Sequence, residues 1–163
     1  MAKGKRKGRP KQVHNPSQSK SVRQIEDPLS SERQTVAWRI SEFDYGGPWG
    51  DVALKEHEIE DLVRKWAREF ETQTWGELLK ASGGKRKGNN HHPIVATDLS
   101  KLAQKRLEEI RKDDMVHKVF SFRIKSIARL YGIREGRVFN ALWFDPWHNN
   151  PKKAVCPSKK RNT

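Results

Sequence analysis

Residues 118–145 read KVFSFRIKSIARLYGIREGRVFNALWFD, and this stretch decides the fold. Its apolar residues recur at the two-residue period of half-buried strands. The period predicts a strand that starts at Lys118, a second over residues 128–134 and a third over residues 137–145. Glu135-Gly136 joins the last two, and its glycine supplies the positive φ of a tight hairpin. We therefore predict an antiparallel meander.

The third strand is apolar on both faces between Val138 and Phe144, which predicts a central position in the sheet. We expect helices to cover one of its faces. A partner or an N-terminal strand would cover the other.

Upstream segments predict helices and one more strand. Apolar residues at three- and four-residue steps predict amphipathic helices over residues 55–71 and 99–111. Thr74 and Glu77 have the spacing of a capping box, which predicts a short helix over residues 75–81. Alternation over residues 35–41 predicts a strand. The fold class is α+β, with two or three helices packed on a small antiparallel sheet of the meander and the N-terminal strand.

Basic residues concentrate at the two ends of the chain. The formal net charge is +14, yet residues 1–24 hold eight Lys or Arg and residues 152–163 hold five, with no acidic residue in either segment. Such polar, proline-containing segments bury too little apolar surface to fold alone. We predict a disordered basic tail over residues 1–30, a single domain over 31–149 and a second disordered basic tail over 150–163. The tails favour a polyanionic partner.

Cysteine usage and hydropathy indicate the compartment. Cys156 is the only cysteine, so no disulfide can form within the chain. No run approaches the roughly 18 apolar residues of a membrane span, and the first 24 residues lack the apolar segment of a signal peptide. We expect a cytoplasmic protein that has no membrane association.

Side chains suited to RNA chemistry concentrate in the meander. A guanidinium binds phosphate oxygens, a tyrosine ring stacks on a base, and a histidine exchanges protons near neutral pH. We predict Arg129, Tyr131 and His148 as catalytic residues of a metal-independent RNA cleavage site with no cofactor. The predicted nucleic-acid-binding residues are Arg123, Arg134, Arg137, Lys85, Arg86 and Lys87.

Other interpretations of the same residues stay open. Alternating arginines are also typical of any half-solvated sheet, where they would pair with the acidic first helix. His91, His92, Asp145 and His148 are candidates for a metal site, although their spacing matches no ligand motif. Alternatively, residues 83–92 are a plain, flexible loop that could equally contact phosphates. The string from Phe144 to Asn149 is either part of the active site or a structural corner, in which Trp147 caps the core and His148 bonds to Asp145.

Residues 99–148 resemble the RelE/ParE toxin superfamily. The resemblance rests on FRI at 122–124, RLYGIR at 129–134, and VFNALWF at 138–144 ahead of His148. It implies a ribosome-dependent RNA endonuclease or a gyrase poison, neutralised by an antitoxin. It also implies that Arg123, Arg129 and Arg134 bind phosphate and that His148 is the general acid or base. The chain departs from the family in its extra N-terminal strand, its long basic loop and its lack of a matching catalytic glutamate.

Three functions follow from these observations. The first is a growth-inhibiting endoribonuclease that acts on RNA at the ribosome and has an acidic antitoxin as a second partner. The second is a nucleic-acid-binding or protein-binding module without chemistry, which includes a toxin that blocks a replication or translation factor. The third is a metal-dependent nuclease at His91, His92, Asp145 and His148.

Overall fold

The structure, a computed structural model, describes residues 30–50, 56–82, 90–112, 114–124, 127–148 and 150–157. Within these ranges the helices are α1 (Glu56–Phe70), α2 (Trp75–Lys80) and α3 (Lys101–Ile110). The strands are β1 (Ala37–Arg39), β2 (His92–Val95), β3 (Lys118–Arg123), β4 (Arg129–Glu135) and β5 (Val138–Asp145). None of these helices has the length and apolar character that crossing a membrane requires.

The strands form one sheet in the order β1-β5-β4-β3-β2. β1 pairs with β5 in parallel, and every other neighbouring pair is antiparallel. The predicted α+β class, the meander and the central position of β5 are confirmed, whereas the prediction of a wholly antiparallel sheet is wrong for β1, which makes the sheet mixed. The hairpin between β4 and β5 is confirmed as well, with Gly136 at φ 60°.

The sheet has a helix on each face. Phe120, Phe122 and Phe139 pack with Trp66 of α1 and Trp75 of α2 on the first face. On the second face the sheet packs against α3 and the segment that follows β5; the residues there include Val119, Trp143, Ala103, Leu107 and Val155. The second face is therefore covered by this chain's own helix, and the N-terminal strand extends the edge of the sheet instead of covering a face.

The predicted helices begin and end within a few residues of their observed bounds. The capping box of α2 is complete: the Thr74 hydroxyl accepts from the Glu77 N–H, and the Glu77 carboxylate accepts from the Thr74 N–H at 2.7 Å. The predicted strand over residues 35–41 is confirmed but shorter.

β2 was not predicted from the sequence. Residues 83–92 were expected to form a plain loop, whereas His92 begins a strand that pairs with β3 through Ile94 opposite Val119. Pro93 conceals this strand, because proline lacks an N–H and is excluded from central strands. β2 lies at the edge of the sheet, where a proline is tolerated. Residues 83–89 lie outside the described ranges.

The predicted domain boundary at residue 149 is too early. Ala154 and Val155 are 2% and 0% exposed, although they lie within the predicted tail. The Val155 N–H donates to Asp145 Oδ2 at 2.9 Å, and the Ser100 N–H donates to the Val155 carbonyl at 2.8 Å. A short apolar string among lysines and prolines gave no sign of this packing. The predicted disorder of residues 1–29 and 158–163 falls outside the described residues.

Candidate nucleic-acid interface

Three charged residues form a row across β3, β4 and β5. Arg123 lies directly opposite Arg129, and Arg129 lies directly opposite Asp145. Side chains of directly opposed residues share a face of the sheet, so all three belong to the face that packs against α3. The row is at the end of the sheet where β5 ends and the turn with His148 begins.

The two guanidiniums of this row are half-buried and close together. Burial, followed by the positive charge of Arg123, lowers the pKa of Arg129. The Arg123 Nη1 donates to Asn90 Oδ1 at 3.1 Å, and its backbone N–H donates to His91 Nδ1 at 3.2 Å. Like charges in directly opposed positions repel. An anion bound between the two would relieve this repulsion, and phosphate has the geometry that guanidiniums bind.

A second row of polar side chains lies beside the first on the same face, two residues away along β3 and β4. His92 is opposite Ser121, and Ser121 is opposite Tyr131. Ser121 and Tyr131 are both 0% exposed. Tyr131 therefore cannot stack on a base, which corrects its predicted role.

The Tyr131 hydroxyl instead contacts the candidate catalytic histidine. It lies 3.2 Å from His148 Nδ1, a hydrogen-bonding distance. Burial raises the pKa of Tyr131, so the hydroxyl keeps its proton at neutral pH. Tyr131 is thus a positioning residue for the imidazole of His148.

The environment of His148 favours its neutral form. Burial lowers the pKa of His148 to about 4, and the positive charges of Arg129, His92 and Arg123 act in the same direction. A neutral imidazole at pH 7 is able to accept a proton from a substrate hydroxyl.

His148 and His92 line one groove of 370 Å³ along the exposed edge of β2. Cys156, Asp98 and Val95 also line it. The His92 Nδ1 atom is buried and has no hydrogen-bond partner among the described residues. The groove is open, and it therefore gives an extended substrate access to two imidazoles next to two guanidiniums. Arg123 and Arg129 do not line the groove but are close enough to His148 to act on its charge. We call this groove together with the two neighbouring guanidiniums the His–Arg groove.

Asp145 forms the structural corner that was one of the two interpretations of this string. Asp145 is fully buried, and its two carboxylate oxygens accept from the backbone N–H groups of Trp147 at 2.7 Å and Val155 at 2.9 Å. Burial raises the pKa of Asp145. Its expected bond to His148 is replaced by the contact of His148 with Tyr131. The corner and the site are therefore adjacent parts of one turn.

The described residues do not bring a metal-ligand cluster together, and the metal-site interpretation of His91, His92, Asp145 and His148 is thus wrong in its geometry. His91 and His92 are consecutive in an extended segment and point to opposite faces. His91 packs against Phe70 and Phe122 on the α1 side, with its Nδ1 occupied by the Arg123 N–H. Both carboxylate oxygens of Asp145 already accept hydrogen bonds from backbone N–H groups.

Arg134 and Arg137 lie at the opposite end of the sheet from the His–Arg groove. The Arg134 guanidinium stacks on Trp75 at 4.2 Å from the ring centroid and donates to Ser31 Oγ at 3.1 Å. The Arg137 carbonyl accepts from the Trp75 indole at 2.9 Å. The structural interpretation therefore describes Arg134 better than phosphate binding does, although its partners are a serine and an aromatic ring, not the acidic first helix. Lys85, Arg86 and Lys87 lie outside the described residues.

Arg123, Arg129 and His148 were predicted from the sequence as site residues, and the structure brings these three together. His92 was predicted to belong to a loop or a metal site, and no role was predicted for Ser121. Both become part of the site only through the register of β2 and β3, for which the sequence gives no local signal because Pro93 breaks the strand pattern. Comparisons with protein-family models, with curated proteins and with solved structures found no match to this chain.

Proposed function

We propose that the chain is a metal-independent RNA endonuclease of the growth-inhibiting kind that the RelE/ParE resemblance implies, and that it cleaves RNA at the His–Arg groove. The observation that carries this proposal is the approach of two imidazoles, His92 and His148, to the opposed pair Arg123 and Arg129. Metal-free cleavage of RNA needs a base, an acid and cations for the charge that develops on the phosphate. The groove supplies each of these.

The proposed reaction is an intramolecular transesterification at phosphorus. The 2′-hydroxyl oxygen attacks the adjacent phosphorus while its proton passes to Nε2 of His148. The bond from phosphorus to the 5′-oxygen breaks, and His92, in the proposed role of general acid, gives that oxygen a proton. The products are a 2′,3′-cyclic phosphate and a 5′-hydroxyl. DNA has no 2′-hydroxyl and is not a substrate.

Tyr131 occupies the Nδ1 side of His148, so that Nε2 is the nitrogen left for the substrate. The neutral imidazole carries one proton, and the tautomer depends on the hydrogen bond that the other nitrogen makes. For the proposed role Nδ1 carries the proton and donates it to the Tyr131 hydroxyl oxygen. Nε2 is then free to accept the proton of the substrate.

The guanidiniums of Arg123 and Arg129 bind the phosphate. Their mutual repulsion is offset as negative charge builds up on the non-bridging oxygens, so their stabilisation of the transition state exceeds that of the ground state. Under this proposal the partners are RNA or the ribosome and an acidic antitoxin, and the protein acts in the cytoplasm.

The test is cleavage of RNA in the presence of a chelator. The full chain is incubated with end-labelled RNA, free and bound to ribosomes, and with DNA of the same sequence. We expect RNA fragments that end in a 2′,3′-cyclic phosphate and intact DNA. The double variant Arg129→Ala with His148→Ala loses the activity and relieves growth arrest, whereas Lys105→Ala, an exposed change on α3, retains both. Intact RNA in every reaction with folded protein would overturn the proposal, as would a fully active double variant.

The distribution of charge favours one alternative, binding without cleavage. Residues 1–24 and 152–163 carry 13 of the 14 net charges, so most of the attraction to a polyanion lies outside the His–Arg groove. For a binding module, RNA is retained but never cut. Removal of residues 1–24 then weakens binding and flattens its salt dependence by about 0.7 in the log–log slope for each lost contact with a single strand.

A further inference from the structure

Trp147, next to His148 in the chain, forms a wall that two cavities share. One cavity of 240 Å³ is also lined by Trp49, Leu102, Lys152 and Lys153. The other, of 520 Å³, is more open and is also lined by Ile127, Pro146 and Lys152. The indole of Trp147 is only partly buried, so it presents aromatic surface to these cavities as well as packing on the core.

Hydrogen bonds hold these walls in place. Asp145 Oδ1 accepts the backbone N–H of Trp147 at 2.7 Å, and the Trp49 indole N–H donates to the Lys153 carbonyl at 2.7 Å. Trp49 is 2% exposed and packs against Trp143 in the core. The smaller cavity therefore exists before any ligand binds, and a ligand would not have to pay for ordering it.

Two ammonium groups border these aromatic walls. The Lys153 Nζ lies over the Trp147 ring, 5.4 Å from its centroid, so a base that stacks on this face replaces the ammonium there, and Lys152 lines both cavities. Lys152 and Lys153 are exposed. A flat apolar wall bordered by cations matches a nucleotide, whose base stacks while its phosphate stays near the positive charge. A core-capping tryptophan alone would need neither the cavity nor the lysines.

We infer that Trp147 is a stacking platform for an unpaired nucleobase of the strand whose phosphate is bound at the His–Arg groove. The inference rests on the proposed function and names its substrate class as single-stranded RNA. A base within a duplex has both faces occupied by its neighbours, so only an unpaired base can stack on Trp147. Lys152 and Lys153 bind the flanking phosphate. The single strand thus runs from the groove at His148 over Trp147 toward α3.

Binding of a short single-stranded oligodeoxynucleotide tests this inference, because such a strand lacks the 2′-hydroxyl and cannot be cleaved. Fluorescence anisotropy of the labelled strand gives its Kd, and the same sequence as a duplex is the reference. Trp147→Leu removes the ring but keeps an apolar side chain, and we expect it to weaken binding of the single strand by roughly 5- to 100-fold. Trp147→Phe keeps a ring and stays close to the unchanged protein. Duplex binding does not change in either variant.

A second pair of variants avoids the core. Leu102 is 51% exposed and lines the smaller cavity, whereas Met115 is 83% exposed and lies outside both cavities. Leu102→Glu places a carboxylate at the mouth of the cavity and weakens single-strand binding. Met115→Glu makes the same change of charge and weakens it less. If Trp147→Leu fails to fold, the comparison of Leu102→Glu with Met115→Glu tests the stacking platform.

The outcomes separate this inference from the proposed function. Equal affinity of Trp147→Leu and the unchanged protein for the single strand overturns the platform, even where RNA is cleaved. An equal loss of duplex binding in Trp147→Leu also overturns it, and so does equal weakening by Leu102→Glu and Met115→Glu. If the single strand binds through Trp147 but no RNA is cut, the stacking platform stands and the cleavage proposal fails.

Discussion

At the scale of single residues, burial keeps two histidines with different roles in their neutral form. His91 is 5% exposed and serves the fold, since its Nδ1 accepts the Arg123 N–H and its ring contacts Phe70 and Phe122. His148 borders an open groove and contacts Tyr131. Desolvation disfavours the charged imidazole at both positions. A low pKa therefore identifies a buried histidine but not its role, which depends on what the ring faces.

The buried imidazole of His91 makes stability depend on pH. Burial, with the positive charges of Arg129, His92 and Arg123, lowers the pKa of His91 from 6.5 to about 4. Between these values the unfolded chain binds the proton and the folded chain does not, so the free energy of unfolding falls as the pH drops. From pH 7 to pH 5 we expect His91 to account for a loss of about 2 kcal/mol.

Urea unfolding at the two pH values checks this expectation. His91→Asn keeps a hydrogen-bond acceptor for the Arg123 N–H and does not titrate. We therefore expect its free energy of unfolding to fall from pH 7 to pH 5 by about 2 kcal/mol less than that of the unchanged protein. An identical difference in the variant would show that His91 is not the group responsible.

Tyr131→Phe tests whether the buried hydroxyl positions His148. The change keeps the ring in the core and removes the atom that lies 3.2 Å from His148 Nδ1. Under the proposed function we expect kcat for RNA cleavage to fall roughly ten-fold or more, with KM little changed, because the base loses its orientation. We expect stability to fall by about 1 kcal/mol.

Steady-state kinetics on RNA separate this role from substrate binding. A rise in KM with unchanged kcat would assign Tyr131 to binding and contradict the positioning role. The pH–rate profile is a second measurement, since loss of the contact with Tyr131 alters the acidic limb in which His148 titrates.

At the scale of elements, an irregularity between β4 and β5 changes the register of the two strands. The register shifts between Tyr131 and Gly132, so that Tyr131 faces Trp143 while Gly132 faces Ala141. The additional residue on β5 is Leu142. Because of this extra residue, the consecutive residues Leu142 and Trp143 both pack on the α3 side of the sheet. Glycine is required at 132 because a neighbouring strand comes too close for a side chain.

We expect Gly132→Ala to destabilise the domain by about 2 kcal/mol or more. An added Cβ would clash with the Asn140 carbonyl oxygen and would lie 2.6 Å from Phe139 Cζ, and both belong to a buried strand that cannot move away. Gly46→Ala is the matched control, since its Cβ would meet no atom within 4 Å. Thermal or urea unfolding of the two variants gives the comparison. Equal stabilities would show that β5 yields more easily than its packing indicates.

Periodicity predicted the elements whose burial alternates or follows one helical face. The meander and α3 are such elements, and their side chains carry the signal themselves. β2 is short, contains Pro93 and lies at an edge, so its pairing with β3 depends on contacts distant in the chain. For the same reason Arg123, Arg129 and His148 were predicted to lie near one another, whereas His92 was not predicted to belong to this group. Arg134 was separable from the sequence, because it lies five residues from Arg129 on one strand and alternation places the two on opposite faces, but the prediction grouped the arginines without using this parity.

At the scale of the whole molecule, two hydrogen-bonded carboxylates join segments that are distant in the sequence. Asp44 accepts from the Arg106 guanidinium of α3 and from the Trp143 indole of β5 at 3.0 Å. Asp145 holds the turn after β5 through the N–H groups of Trp147 and Val155. These carboxylates connect the loop after β1, α3 and the C-terminal segment around one face of the sheet, which is the face that bears the His–Arg groove.

The C-terminal segment is therefore expected to stabilise the domain. Removal of residues 150–163 exposes the surface that Val155 and Ala154 cover, and it removes the donor to Asp145 Oδ2 and the acceptor of the Ser100 N–H. The loss of these apolar contacts, together with a buried carboxylate oxygen left without its donor, costs about 3 kcal/mol or more of stability.

Removal of residues 158–163 alone is the control. It takes away three basic side chains and none of these contacts, so its effect on stability stays within about 0.5 kcal/mol. Urea unfolding of both truncated chains beside the full chain measures the difference. Equal urea midpoints for the two truncated chains would place the end of the domain at residue 149. A loss of stability confined to the longer truncation extends the domain to residue 157. The turn that carries Trp147 and His148 is then an integral part of the fold.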